Sequence, residues 1–219
     1  MEPNVEEALR YLGAGHGAQA ALRQEVASVA RELADTLQPR YAYRVFDLMR
    51  DGDRLSLAGA NAVLSGETAS RMLDQCDQAV LLVCTLGAQF DALLRAAQAR
   101  DMARAVILDA CGSALVEAGC DGAEREIAAR FPNRHLTDRF SPGYGDLPLA
   151  LQPTICAALD APKRLGVYVT KSLLLNPGKS VTALIGLSDV PQMARVRGCD
   201  CCALRVRCTL REGGNTCAL

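Results

Sequence analysis

The segment AVLLVCTL, Ala79 to Leu86, constrains the fold more than any other part of the chain. A continuous apolar run of this length suits a buried strand, and Gly87 breaks it. The chain on either side supplies elements to cover such a strand. Residues 17–38 read as an amphipathic helix, with Leu22, Val26, Val29, Leu33 and Leu37 at spacings of three and four and Pro39 as the stop. Tyr41, Tyr43 and Val45 alternate with other residues as in a half-buried strand. Asp51-Gly52-Asp53 marks a turn, and Leu55 to Ala58 is the returning strand.

Ser65 to Asp74 reads as a short helix, and two longer helical segments follow at 88–99 and 101–130. Residues 139–148 hold two Pro and two Gly and form a loop. A helix from Gln152 to Leu159 precedes strands at Leu165–Thr170, Ser172–Leu175 and Ser180–Leu187, with Asn176-Pro177-Gly178 as an interruption. Helices and antiparallel strands in blocks imply an α+β fold, a single domain with a twisted antiparallel β-sheet flanked by helices. The expected division is an N-terminal part (1–100), a core (101–196) and a cysteine-rich tail (197–219).

Composition narrows the function classes. Half of the 219 residues are hydrophobic, aromatics are 4% and Trp is absent, so Ala and Leu fill most of the core. The net charge of -1 gives no electrostatic footprint for nucleic acid or an anionic membrane. The start of the chain lacks a charged-then-apolar leader, and no apolar stretch reaches the about 18 residues of a membrane span. A cytoplasmic location is expected, where the ten cysteines are thiols or metal ligands rather than disulfides.

RFSPGYGD, Arg139 to Asp146, concentrates the chemistry. Arg139 offers a planar, permanently charged fork that can grip a carboxylate through two hydrogen bonds. Gly143 and Gly145 let the backbone approach a ligand closely or take positive φ. Tyr144 presents a ring face that attracts a cation such as a sulfonium, and Pro142 stiffens the approach. The plainer reading is a surface turn with a solvated Arg and a packing Tyr.

R-F-S-P-G-Y resembles the S-adenosylmethionine-binding motif, Arg-x-x-x-Gly-Tyr, of the activation (reactivation) domain of cobalamin-dependent methionine synthase. TICAALDAPKRLGVYVTKS (Thr154 to Ser172) is similar to the helix and strand that follow the motif there, and NPGKSVTALIGLS (Asn176 to Ser188) to the family's Pro-Gly-x-Ser-Val-Ser strand. The order and spacing agree. The resemblance implies a fold like the activation domain, with 101–196 as the S-adenosylmethionine-binding core. It implies contacts to S-adenosylmethionine from Arg139, Pro142, Gly143, Tyr144 and Gly145, with Tyr144 the candidate catalytic residue. It also implies acidic help for the ligand's amino group from the preceding helix, where Glu117, Asp121 and Glu124 are candidates. A solvated helix face is the plainer reading of those three.

The chain departs from the family in places. Gly145-Asp146-Leu147 stands where a Pro- and Cys-containing segment follows the motif, Lys171 where an acidic residue stands, and Ile185 where an aromatic stands. No Asp-x-His-x-x-Gly cobalamin-ligating motif is present among the two histidines, His16 and His135. Gly178-Lys179-Ser180 lacks the earlier glycine of a phosphate-binding loop.

The tail is the second chemical signal. Cys199, Cys202 and Cys208 give C-x2-C-x5-C, with Cys217 or Cys201 as a fourth ligand. Soft thiolates at this spacing suit zinc or an iron–sulfur cluster, and Arg205, Arg207 and Arg211 stabilise thiolates. A reduced tail without metal is the alternative. Cys76, Cys84, Cys111, Cys120 and Cys156 fall in apolar contexts and read as buried small hydrophobes.

The function implied by the resemblance is S-adenosylmethionine binding in support of reductive methylation of cobalamin. The cobalamin would be carried by a separate corrinoid-binding methionine synthase or methyltransferase, with flavodoxin or ferredoxin as electron donor. Two alternatives remain at this point: an iron–sulfur or zinc protein acting as redox partner of a corrinoid protein, and a non-catalytic regulator of one.

Overall fold

The apolar run lies in a strand, Gln78–Thr85, in which every residue after Gln78 is buried. The computed structural model describes residues 4–14, 17–52 and 54–192. In chain order the first elements are α1 (Val5–Tyr11), α2 (Ala20–Thr36), β1 (Arg40–Asp51), β2 (Arg54–Leu57) and β3 (Ala62–Leu64). Next come α3 (Glu67–Met72), β4 (Gln78–Thr85), α4 (Ala88–Gln98), α5 (Met102–Arg130) and β5 (His135–Leu136). The last are α6 (Gln152–Ala158), α7 (Ala161–Leu165), β6 (Tyr168–Val169), β7 (Leu175–Asn176) and β8 (Ser180–Ser188).

Six strands form one antiparallel sheet in the order β3-β2-β1-β4-β8-β5, with β4 and β8 paired from Gln78–Leu187 to Thr85–Ser180. Period-2 alternation divides β4 between two cores. Val80, Leu82 and Cys84 meet Ala183, Ile185 and the residues of α1, α2 and α5 on one face. Ala79, Leu81 and Val83 meet Leu184, Phe46 and the residues of α3, α6 and α7 on the other. Helices cover both faces, which is why β4 reads as unbroken apolar sequence rather than alternating.

Helix α5, 29 residues long, forms the centre of one helical layer. Its buried positions are mostly small, including Ala110, Cys111, Gly112, Ala114, Gly119, Cys120 and Ala123. These let α5 approach its neighbours closely. A Cβ at Gly112 would lie 2.3 Å from the Phe90 ring, and one at Gly119 would lie 2.5 Å from Pro39 and 2.8 Å from the Cys84 sulfur. From the sheet side, the Tyr41 and Tyr43 hydroxyls of β1 donate to the two carboxylate oxygens of Glu126 at 2.7 and 2.9 Å.

Several local expectations change. The stretch expected to be strand at Leu165–Thr170 begins as the end of α7, where Pro162 favours a helix start and Gly166, at φ 70°, ends it. Only Tyr168–Val169 and Leu175–Asn176 pair as strands. The turn between them is closed by Thr170, whose carbonyl accepts from Leu173 N at 2.9 Å and whose amide donates to Leu174 O at 2.8 Å, with Leu173 at φ 63°. Helix α1 falls in a stretch to which no element was assigned. Asn4 caps it, accepting from Glu6 N at 3.0 Å and Glu7 N at 3.3 Å. No described helix is long and apolar enough to cross a membrane.

Candidate functional site

Phe140 sets the geometry of the site. Its backbone exchanges two hydrogen bonds with Leu184 of β8, at 3.1 and 2.8 Å, so the chain is extended there. Alternation in extended backbone sends neighbouring side chains to opposite faces. The Phe140 ring enters the core shared with α3 and α6, being 1% exposed. Arg139 therefore faces the α5 side.

On α5, Glu117, Asp121 and Glu124 are spaced by four and three residues and share one helix face. All three converge on Arg139. Nη2 donates to Glu117 Oε2 at 2.6 Å and to Asp121 Oδ1 at 3.1 Å, and Nη1 donates to Glu124 Oε1. The Arg139 side chain is 3% exposed, whereas those of Glu117, Asp121 and Glu124 are 27%, 49% and 27% exposed. The cation is dry and the acids face water on their outer side, so the cluster presents an excess of negative charge to solvent. Burial opposes the Arg139 charge, but Cys120, Glu124 and Glu117 outweigh it and raise the pKa above the ordinary arginine value.

The sequence left two readings for these three acids, and the structure places them on Arg139 rather than on a purely solvated face. Arg139 itself is not the solvated side chain of a surface turn. The fork assigned to a ligand carboxylate is engaged by α5.

Beyond Phe140 the chain turns outward. Pro142 is buried, Gly143 and Gly145 take φ of 93° and 56°, and Tyr144 stands 64% exposed between them. Left-handed backbone at both positions is the conformation that glycine adopts freely. The loop closes on itself: Gly143 N donates to Leu147 O at 2.8 Å, and Leu147 N donates to Tyr144 O at 3.0 Å. Leu147 is buried and anchors the return.

Two neighbours of the site were not legible as such. Tyr11, at the end of α1, has its phenol pushed up to about 12 by burial and then by Glu7 and Glu117, with Arg10 opposing and Tyr144 adding to the rise. The chain start thus reaches the same electrostatic environment as the motif loop. Asn4 followed by Glu7 is a capping signature that would have revealed α1, but nothing local ties Tyr11 to position 144. On the core side of the cluster, Cys120 pairs with Cys84, and that contact and burial raise the Cys120 thiol well above its ordinary value.

Among the described residues, no group of three His, Cys, Asp or Glu side chains is arranged to hold a metal ion. The proposed ligands Cys199, Cys202, Cys208 and Cys217 lie outside the described residues, as does His16. A groove of about 260 Å³ between α2, α4 and α5, lined by Val29, Leu33, Leu93 and Leu108 with Arg100 and Arg104 at its rim, shares no residue with the motif loop.

The chain is a single α+β domain, a six-stranded antiparallel sheet with helices on both faces and a buried Arg139 at the loop beside its edge. The chain is similar to the crystal structure of the MetH reactivation domain bound to AdoHcy, with a TM-score of 0.66 and 21% identity over 94% of this chain and 76% of that one. That likeness shows the fold. No protein-family model matches the chain, and no curated protein matches it.

Proposed function

We propose that the chain binds S-adenosylmethionine at the Arg139–Gly145 loop and supports the reductive methylation of cobalamin carried by a separate corrinoid-binding methionine synthase or methyltransferase. The observation that carries this reading is the convergence of Glu117, Asp121 and Glu124 on one buried Arg139 beside an exposed Gly-Tyr-Gly turn. The fold supports it, since the reactivation domain of similar structure is bound to AdoHcy.

The donor set fits the ligand. S-adenosylmethionine combines a carboxylate, an ammonium and a sulfonium, with a net positive charge, and the sulfonium activates the methyl group for transfer. Arg139 answers the carboxylate by exchanging one of its present partners. Asp121 is the first to yield, because it is the most exposed of the three acids and its contact, at 3.1 Å, is longer than that of Glu117. The released acid and its neighbours meet the ammonium. Tyr144 offers its ring to the sulfonium, and Gly143 and Gly145 let the backbone come close. The protein's contribution is to position the methyl donor against a docked corrinoid. A flavodoxin or ferredoxin supplies the electron, and the setting is the cytoplasm.

Calorimetric titration with S-adenosylmethionine tests the site. The wild type is expected to bind, and Arg139→Ala to lose at least about tenfold in affinity, the scale of one charged hydrogen bond. Tyr144→Ala, which removes the ring offered to the sulfonium, should also weaken binding, and a residue this exposed can be truncated without disturbing the core. Unchanged binding in both variants would reject the assignment. Corrinoid remethylation that proceeds equally with and without the chain would favour the regulator instead.

A further inference from the structure

We propose that Asp146 is a positioning residue that latches the Gly-Tyr loop to the start of α3 and so holds Tyr144 ready for the ligand. The inference rests on the S-adenosylmethionine reading above. It concerns a segment where the chain departs from the activation-domain pattern, so the resemblance supplies no role for Asp146.

The residue at the N-cap of α3 is Gly66, which has no side chain with which to cap the helix. The first N–H groups of a helix have no partner within the helix. Asp146 provides one from far along the chain. Its Oδ2 accepts from Glu67 N at 2.5 Å and its Oδ1 from Thr68 N at 3.0 Å. The Thr68 side chain, with these two N–H groups, holds the carboxyl below its ordinary range. Asp146 therefore does for α3 what an N-cap side chain does in an ordinary helix.

Two glycines clear this contact, one from each side. Gly66 has φ 104°, and a Cβ there would lie 2.7 Å from Asp146 Cγ and 2.9 Å from the Asp146 carbonyl oxygen. Gly145 has φ 56°, and a Cβ there would lie 2.5 Å from Thr68 Oγ1. The glycine that frames Tyr144 is thus also the one that lets the loop seat on α3. Gly145 follows Tyr144 directly, and the hydrogen bonds between Gly143, Tyr144 and Leu147 enclose the whole turn. Fixing Asp146 fixes that closed turn. The anchor is firm, because Ala69 and Met72 of α3 are fully buried.

A loop held in its binding conformation does not lose affinity to ordering on contact with its ligand. Asp146→Ala should therefore weaken S-adenosylmethionine binding by roughly tenfold, while Asp146→Asn, which keeps an oxygen acceptor, restores most of the loss. Amide hydrogen exchange in the ligand-free protein tests the latch separately. Asp146→Ala should speed exchange at Glu67, Thr68 and residues 143–147, and Asp146→Asn should slow it again. Thr68→Val removes only the hydroxyl and should give a smaller change in the same direction, which keeps the test alive if the alanine variant fails to fold.

Unchanged exchange at 143–147 in Asp146→Ala or Thr68→Val would overturn the latch. Raised exchange with wild-type affinity would overturn the positioning role. No binding by the wild-type protein would overturn the ligand reading and Asp146's part in it, an outcome the wild-type titration separates from the other two.

Discussion

Arg139 donates to Glu117 across 2.6 Å from a side chain that is 3% exposed, so a fully charged group lies inside the protein only because α5 surrounds it with carboxylates. The pair ties the motif loop to the longest helix. It also makes the site's charge and the fold's stability parts of one arrangement.

Removing the cation should therefore destabilise the protein. Arg139→Met is expected to lower unfolding free energy by about 3 kcal/mol, the low end for a broken buried pair, because the three acids retain water on one side. In a background of Glu117→Gln, Asp121→Asn and Glu124→Gln the same change should cost much less. Urea unfolding of the four proteins measures this, and equal losses in both backgrounds would contradict it.

Close helix packing gives a second expectation. In an ordinary helix interior, Gly→Ala stabilises by roughly 1 kcal/mol. At Gly112 the added methyl would sit 2.3 Å from the Phe90 ring, so Gly112→Ala should instead destabilise, by about 1–3 kcal/mol as overpacking does. Gly112→Ala combined with Phe90→Leu should recover part of the loss. Thermal melting of the wild type and these two variants reads the sign directly.

The tyrosine pair on β1 predicts a pH window. Hydrogen bonding to Glu126, then burial, raises the Tyr41 phenol from 10.0 to about 12. A raised pKa means the folded state favours the protonated phenol. Its contribution is complete below pH 10.0 and is lost as pH climbs towards about 12. The same hydrogen bonds lower the Glu126 carboxyl, so that contribution is present above 4.5 and fades as pH falls through the depressed value. Tyr41→Phe should flatten the alkaline loss. Phenolate absorbance, followed with the melting temperature, would show it.

The cysteines of the core should be inert. Burial pushes Cys76, Cys111 and Cys156 up to about 11, and all five described cysteines are buried. Thiolate is the reactive form, so alkylation of the native protein at pH 8 should leave these five unmodified until denaturant is added. Mass spectrometry of the labelled peptides provides the measurement, and rapid labelling of Cys84 or Cys120 would contradict the packing described for α5 and β4.

Much of the fold was legible where apolar periodicity is long. Leu22 to Leu37 marked α2, and Ala79 to Leu86 marked β4, because a buried face writes its period into the chain. The short elements were not. Two-residue strands such as Leu175–Asn176 carry no period, and α7 is set by Pro162 and Gly166 rather than by an apolar stripe. The spacing of Glu117, Asp121 and Glu124 already placed them on one helix face, but no local signal named the cation they would meet.

By itself the sequence determined the α+β class, the loop at residues 139–148 and the residue types that give the motif its chemistry, because these depend on local backbone preference and side-chain identity. Tertiary structure alone decided that Arg139 turns inward to three acids of α5, that Asp146 caps a helix beginning at residue 67, and that Tyr11 joins the surroundings of Tyr144. Those relationships join residues far apart in the chain, and they exist only once the sheet has brought β8, α5 and the motif loop into contact.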